Sequence, residues 1–526
     1  MTSFFKKLTI PILITLGLTS QVHSQGQRDV DLLKEYFEML VSGNLETAGY
    51  MWTQTAQERS SRFKISYKEI PIKLDCSSPV VRYLDEMSDY LTRPVSKKQI
   101  LDDGFSKLTF STIFLGKNVE HPYYLYHDGS YYWLTYSQEY YCREWPVVES
   151  KYMRVHYHPD VKKYLNSLIL KEADSFIESL MKKIGIDQND IEIIEEKKIE
   201  YFFCDSDMTV KRITGFLAKG IYDLASDDII SAFFPHYHEI AHLLIAIKLK
   251  EQSLYTLPIF REGISVYFGG RWGKMPETLA ELAAVLLKHE LISIDSILTM
   301  NDFKNNSGSD IAYPVAGLFN EFIYSNIPQE KYWQLYREFS GTFEKVNSLT
   351  ADSIKLTLMN SLNLKSWQKL LENFNKFSRE KISLYAEIMP GITEKSNELW
   401  SNDMVELSVR KDWVNLKFSH SSDRAVSGNL LFGKISNSET QLSSLFQEQY
   451  DTDTVREDYR FGIRYDRNEV GLYDYVTNHL VAKYIWGILP SDKYFDSTAK
   501  SISLRIKKNI FTDGLPQKEN FKLLPK

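Results

Sequence analysis

Cysteine is scarce in this chain: Cys76, Cys142 and Cys204 are the only three in 526 residues, and no CxxC spacing occurs. That argues against a cysteine-ligated zinc site, and an odd number cannot all pair within one molecule. Cys76 and Cys142 fall in one expected N-terminal domain and are the two open to a disulfide. Cys204, in Tyr201-Phe202-Phe203-Cys204, reads as a small buried hydrophobe. Basic charge is in short supply as well. With 63 Lys and Arg against 69 Asp and Glu the formal net charge is −6, which gives no reason to expect nucleic acid as a partner. No stretch is apolar for the roughly 20 residues that a membrane helix needs, so stable membrane insertion is not expected. Repeats and low-complexity tracts are absent too.

What remains is the composition of a globular protein: 43% hydrophobic and 13% aromatic residues over a length that suggests about three domains. The N-terminus reads as an export signal. Lys6 and Lys7 precede an apolar run from Leu8 to Leu18, and Val22-His23-Ser24 suits a cleavage site before Gln25. No Cys lies near that point to carry a lipid anchor. Removal of residues 1–24 takes away two positive charges and no acid, leaving −8. The expected mature protein is periplasmic or extracellular.

The most informative stretch is His238-Glu239-Ile240-Ala241-His242. On a helix, residues four apart share a face, so two imidazoles can reach one metal while the carboxylate between them reaches a water on it. By chance such a pattern arises in roughly one or two chains per hundred of this length. His289-Glu290-Leu291-Ile292-Ser293 begins alike but lacks the second His. From Pro235 to Lys250 there is no interior Gly or Pro, and Ile240, Leu243, Leu244 and Ile247 form an apolar stripe, so a helix is expected there. His236 lies outside the motif and reads as structural or surface.

A catalytic zinc needs a third protein ligand. Ile245 and Lys248 stand where a metzincin would have Gly and His. Glu262 follows His242 after an interval of 19 residues, in Phe260-Arg261-Glu262-Gly263-Ile264-Ser265-Val266-Tyr267. Pro258 offers this second helix a start and Gly269-Gly270 a stop. At this point the chain resembles the gluzincins, the peptidase clan typified by thermolysin and shared by many aminopeptidases. The resemblance covers about residues 151–386, and its motifs lie between His238 and Tyr267.

That resemblance implies one zinc per chain held by His238, His242 and Glu262, with Glu239 as general base in the hydrolysis of a peptide or protein substrate. It implies a sheet whose edge strand, here expected within Gly220–Ser231, pairs with substrate backbone. It also implies an oxyanion donor. Tyr313, in Asp310-Ile311-Ala312-Tyr313-Pro314-Val315-Ala316-Gly317, resembles the clan's tyrosine, and Tyr255 competes with it. Two departures stand out. Val266 occupies the place, four residues after the Glu ligand, where the clan often has an acid that orients a ligand. The Gly-x-Met-Glu-Asn type of segment with which related aminopeptidases hold a substrate N-terminus is missing.

The expected fold is therefore α+β and multidomain. Residues 25–150 begin with an amphipathic helix over Asp31–Val41 and continue into aromatic strands around Asp128-Gly129, a two-residue hairpin signal. Helices followed by such a sheet are similar in layout to the cone-shaped nuclear-transport-factor-like and SnoaL-like domains. Residues 151–386 form the peptidase-like domain, with strands at Tyr152–Tyr157, Ile199–Cys204 and Ile213–Ile221 ahead of the metal helix, and helices after Glu262. Residues 387–526 alternate apolar and polar, as in Val405, Leu407 and Val409, and read as a β-sandwich-like accessory domain. The rival function is an exported binding or scaffold protein whose peptidase-like domain is catalytically silent.

Overall fold

The computed structural model describes residues 25–385 except 92–94, 272, 289 and 307–310, together with strands between 388 and 525. The expected export signal lies outside the described residues. The chain is mixed α and β and divides into two compact units, of which the first comprises residues 25–51 and Leu84–Thr135 and the second takes Trp52–Tyr83 and everything from Tyr136 onward. The second unit thus includes a segment that precedes, in sequence, the whole of the first unit's sheet.

In the first unit, helix α1 (Gln25–Val41) packs on a four-stranded antiparallel sheet of β1 (Val95–Ile100), β2 (Phe105–Phe114), β3 (Lys117–His127) and β4 (Tyr132–Thr135). Phe37 meets Phe110 and Tyr123 edge-on, at ring separations of 5.3 and 5.6 Å, so the aromatic sheet face serves as core. The β3–β4 turn is longer than the Asp-Gly signal predicts. His127 pairs with Tyr132, leaving Asp128–Tyr131 as the loop. The Asp128 carboxylate accepts from the backbone of Ser130 and Tyr131 and from the Trp133 indole, and this side-chain turn displaces the tighter one.

The second unit is organised on a five-stranded sheet. Its strands are β5 (Val147–Glu149), β6 (Met153–Tyr157), β7 (Ile199–Phe203), β8 (Gly220–Asp223) and β9 (Asp228–Ser231), in spatial order β5-β6-β7-β9-β8. The central β6, β7 and β9 run parallel, and β7 and β9 are buried throughout, as a covered parallel core requires. Both edges are antiparallel. The expected edge segment Gly220–Ser231 is a hairpin whose first arm, β8, forms the edge while β9 lies inside. The strand expected at Ile213–Ile221 is instead a helix, Asp207–Thr214, followed by β8. The Ser206 hydroxyl caps the helix and Gly215 ends it at φ +83°, two local signals that outweigh the β-branched residues between them.

Helix α2 (Ser167–Ile184) is capped by the Asn166 side chain and closed by Gly185 at φ +68°. Past the sheet come α3 (Tyr237–Leu249), α4 (Pro258–Gly269), α5 (Pro276–Lys288), α6 (Ala312–Asn326) and α7 (Trp367–Tyr385). Between residues 388 and 525 the strands form two five-stranded antiparallel sheets, β-rich as the alternation predicts. In one, Leu407, Leu416 and Leu504 lie side by side and buried, and in the other Leu430, Ile463 and Leu472 do so. Among the described residues no helix is long and apolar enough to cross a membrane.

All three cysteines are free, so the Cys76–Cys142 disulfide is not formed. Cys142 packs with Cys204, Phe202 and Ile230 in a hydrophobic cluster, and burial pushes each of the three thiols to a higher pKa.

Three glycines bring the helices together. A Cβ at Gly263 would lie 2.2 Å from Asn320 Nδ2 and 2.6 Å from the Ala316 carbonyl oxygen of α6. At Gly317 it would meet Val266 at 2.5 Å, and at Gly269 the Tyr237 carbonyl oxygen of α3 at 2.4 Å. Helix α4 therefore touches α6 and the start of α3 backbone to backbone. Gly263→Ala is expected to overpack the α4–α6 contact and cost about 1–3 kcal/mol. Urea denaturation monitored by circular dichroism measures it, and an unaltered unfolding free energy would refute the packing argument.

Candidate metal centre

Helix α3 is apolar on nearly every side, as befits a helix in a core. His238 is 2% exposed, and His242 and Glu239 are each partly covered. One turn apart, the two histidines bring their Nε2 atoms to 3.1 Å. Helix α4 supplies the third atom: Glu262 Oε2 lies 3.3 Å from His238 Nε2 and 3.6 Å from His242 Nε2. Zinc bonds of about 2.0–2.2 Å at tetrahedral angles place neighbouring ligand atoms roughly 3.3–3.5 Å apart. The three measured separations bracket that figure, so the donor set fits one tetrahedral zinc in both chemistry and spacing.

Both rings are held from behind. His238 Nδ1 lies 3.0 Å from the Gly270 carbonyl oxygen, which can only accept, so Nδ1 carries the hydrogen and Nε2 presents a lone pair. His242 Nδ1 lies 3.0 Å from Ser265 Oγ, whose own hydrogen goes to the Arg261 carbonyl oxygen. That leaves the hydroxyl oxygen to accept from Nδ1–H and turns the His242 Nε2 lone pair inward as well. Ser265 does what the missing acid at position 266 was expected to do. Val266 itself faces Gly317 of α6, away from the metal ligands' polar contacts.

The titratable groups of the site act strongly on one another. Burial alone would raise the Glu262 pKa, but His242 and His238 hold it well below the usual carboxylate range. Burial depresses the His238 pKa, and the neighbouring His242 and Arg271 add to the effect despite Glu262. Glu239 is likewise pushed up by burial and pulled down further by His236, His238 and His242, so the net shift is downward.

Glu239 is positioned by the sheet. Its Oε2 accepts from the Tyr222 backbone N–H of edge strand β8 at 2.9 Å. Its Oε1 lies 4.0 Å from His236 Nε2, and His236 Nδ1 lies 2.9 Å from Ser231 Oγ of β9. His236 is thus a largely covered wall of the site, and the surface reading of it is set aside. Burial lowers its pKa to about 4.

Tyr313 sits in the first turn of α6, with the Arg271 guanidinium stacked 3.6 Å above its ring. Arg271 Nη1 in turn lies 3.1 Å from His238 Nε2 and 3.3 Å from Glu262 Oε2. The Tyr313 pKa is raised by burial first and then by Glu262, with Glu239 adding to it. Tyr255 packs against Phe343 and under Arg82, and lines the same hollow as Glu262 and Tyr313. Sequence reasoning named five of these residues and missed Ser265, Arg271 and the Tyr222 amide. Ser265 and Arg271 lie three and nine residues beyond Glu262, yet their roles depend on where α3 crosses α4. Among the described residues one other group, His158, Asp160 and Asp205, gathers potential ligand atoms, with both acids exposed.

Ser265→Ala is expected to weaken zinc affinity about 10- to 100-fold, because His242 loses the acceptor that fixes its tautomer and ring orientation. Competition with a chromogenic chelator reads this directly, and undiminished affinity would remove Ser265 from the site. Comparison of the chain with protein-family models, curated proteins and solved structures returned no match.

Proposed function

We propose that the protein is an exported zinc-dependent peptidase of the gluzincin kind, with one zinc held by His238, His242 and Glu262. The observation that carries this reading is the spacing of the three ligand atoms, 3.1, 3.3 and 3.6 Å, with both histidine lone pairs turned toward one another. When bound, zinc would polarise the scissile carbonyl and lower the pKa of a water to about 7.

Glu239 takes the proton from the attacking water and passes it to the leaving amine. Its lowered pKa leaves it ionised and able to accept, and the Tyr222 amide holds one oxygen so that the carboxylate keeps its direction. The negative charge that develops on the carbonyl oxygen needs donors already in place. Tyr313 is assigned this role, and the Arg271 guanidinium above its ring supplies positive charge on the same side. Extended substrate backbone adds along the outer edge of β8, next to the general base.

His242→Ala is expected to abolish zinc retention by elemental analysis. Glu239→Gln should keep fold and zinc while losing about 10²- to 10⁴-fold in turnover of a cleaved peptide from a diverse library. Full zinc in the first variant, or near-normal turnover in the second, would sink the assignment. A zinc-loaded protein that cleaves nothing in the library would instead favour the binding-protein reading.

Tyr313→Phe removes one hydroxyl and keeps the ring under Arg271. The expected loss is about 2.7–4 kcal/mol of transition-state stabilisation, in kcat with little change in KM. A loss confined to KM would move Tyr313 from the reacting oxygen to ground-state binding.

A further inference from the structure

Beside the metal centre lies a cavity of ≈ 330 Å³ that shares Glu262 and Tyr313 with it. Its walls are aromatic: Phe303 and Tyr313 meet edge-on at 5.2 Å, and Tyr255 and Phe343 at 5.5 Å. Into this apolar space come two cations, Arg261 and Lys304.

Arg261 is the more informative. It is partly buried on α4, and among the described residues its guanidinium makes neither a hydrogen bond nor an ion pair within 4.0 Å. Its neighbour Glu262, the acid in the cavity wall, already has Oε2 engaged by His238, His242 and Arg271. Glu262 and Glu239 act on this guanidinium through their charge but neither lies within 4.0 Å, so on the cavity side it is placed to receive a carboxylate from a ligand, since charge-assisted and often bidentate pairing is what this group does best. Lys304 is exposed and adds a second positive charge to the same wall.

We propose that this cavity is a specificity pocket for a carboxylate-bearing residue of the substrate, its apolar body among the four rings and its carboxylate on Arg261. Its role as a substrate subsite rests on the peptidase reading above, while its preference for a carboxylate does not. The carboxylate comes either from an acidic side chain or from a free C-terminus.

The test is calorimetric titration of the purified full-length protein with 3-phenylpropionate and with its amide. The acid is expected to bind at least about tenfold more tightly than the amide, the range of a hydrogen bond to a charged group. Arg261→Gln should bring the ratio close to one, and Lys304→Gln, at an exposed position, should lower it about two- to fivefold. Equal affinities in the unaltered protein overturn the proposal. So does an acid preference that survives both substitutions, which would place the carboxylate on the metal instead. If Arg261→Gln does not fold, an undiminished ratio in Lys304→Gln overturns it alone. Peptide pairs with Glu or Gln on either side of the cleaved bond, and with free or amidated C-termini, then identify the source of the carboxylate. Cleavage indifferent to all of these overturns the subsite assignment, whereas intact acid binding with no cleavage at all would sink only the peptidase reading.

Discussion

Two imidazole nitrogens and a carboxylate oxygen that converge to within 3.6 Å of one another are held most favourably around a positive charge. Everything around the site serves to maintain that convergence. The Gly270 carbonyl oxygen and Ser265 hydroxyl fix the hydrogens of His238 and His242 on the outer nitrogens, so the inner ones are bare. A positive group in contact with these atoms is Arg271, which reaches His238 and Glu262 through the same nitrogen. A divalent cation answers the same electrostatic demand more compactly, because it meets all three donors at once.

Holding Glu262 there is a packing problem before it is a chemical one. Helix α4 has to lie against α6 on one side and the first residue of α3 on another, and side chains at the crossing points would hold the backbones apart. Gly263, Gly269 and Gly317 remove those side chains, and Val266 fills the hollow over Gly317. The Glu-Gly pair in the sequence is thus candidate ligand and spacer in succession. An acid in place of Val266 would point into a helix–helix contact, which gives a physical reason why a serine one residue earlier orients His242 in this chain.

How much could be read from the sequence follows from the range of the interactions involved. The His238–His242 pair was legible because helical spacing is local, and Glu262 because its interval from His242 resembles the gluzincin pattern, with Pro258 offering its helix a start. The strand-then-helix order and the alternation after residue 405 were legible for the same reason. Arg271 was not: its contact with His238 depends on the turn after α4 folding back, and no local pattern encodes that. Of the two roles open to His236, structural or surface, the sequence could not choose, because its contact with Ser231 depends on how the preceding strand is placed. The strand expected at Ile213–Ile221 gives way at its start to a helix whose signals, the Ser206 cap and the Gly215 stop, are local and lie in the sequence. The cysteine pairing failed on geometry that spacing does not carry, since Cys142 lies in a cluster with Cys204.

The edge strand that meets Glu239 is itself anchored by charges taken out of water. Arg62 reaches Asp228 of β9 at 2.5 Å, Arg59 reaches the same carboxylate at 3.1 Å, and Lys73 reaches Asp227 at 2.5 Å, with both acids fully buried. Tyr222 joins the two systems, its hydroxyl donating to Asp227 and its backbone N–H to Glu239. Buried ion pairs of this kind add little net stability, because desolvation offsets most of the attraction, but losing one partner is costly, about 3–5 kcal/mol. Their effect is therefore one of specification: they fix the hairpin turn between β8 and β9, and with it the direction in which the Tyr222 amide meets Glu239. Trp52–Tyr83 supplies all three cations, which explains why this segment belongs with the second unit although the whole of the other unit's sheet follows it in sequence.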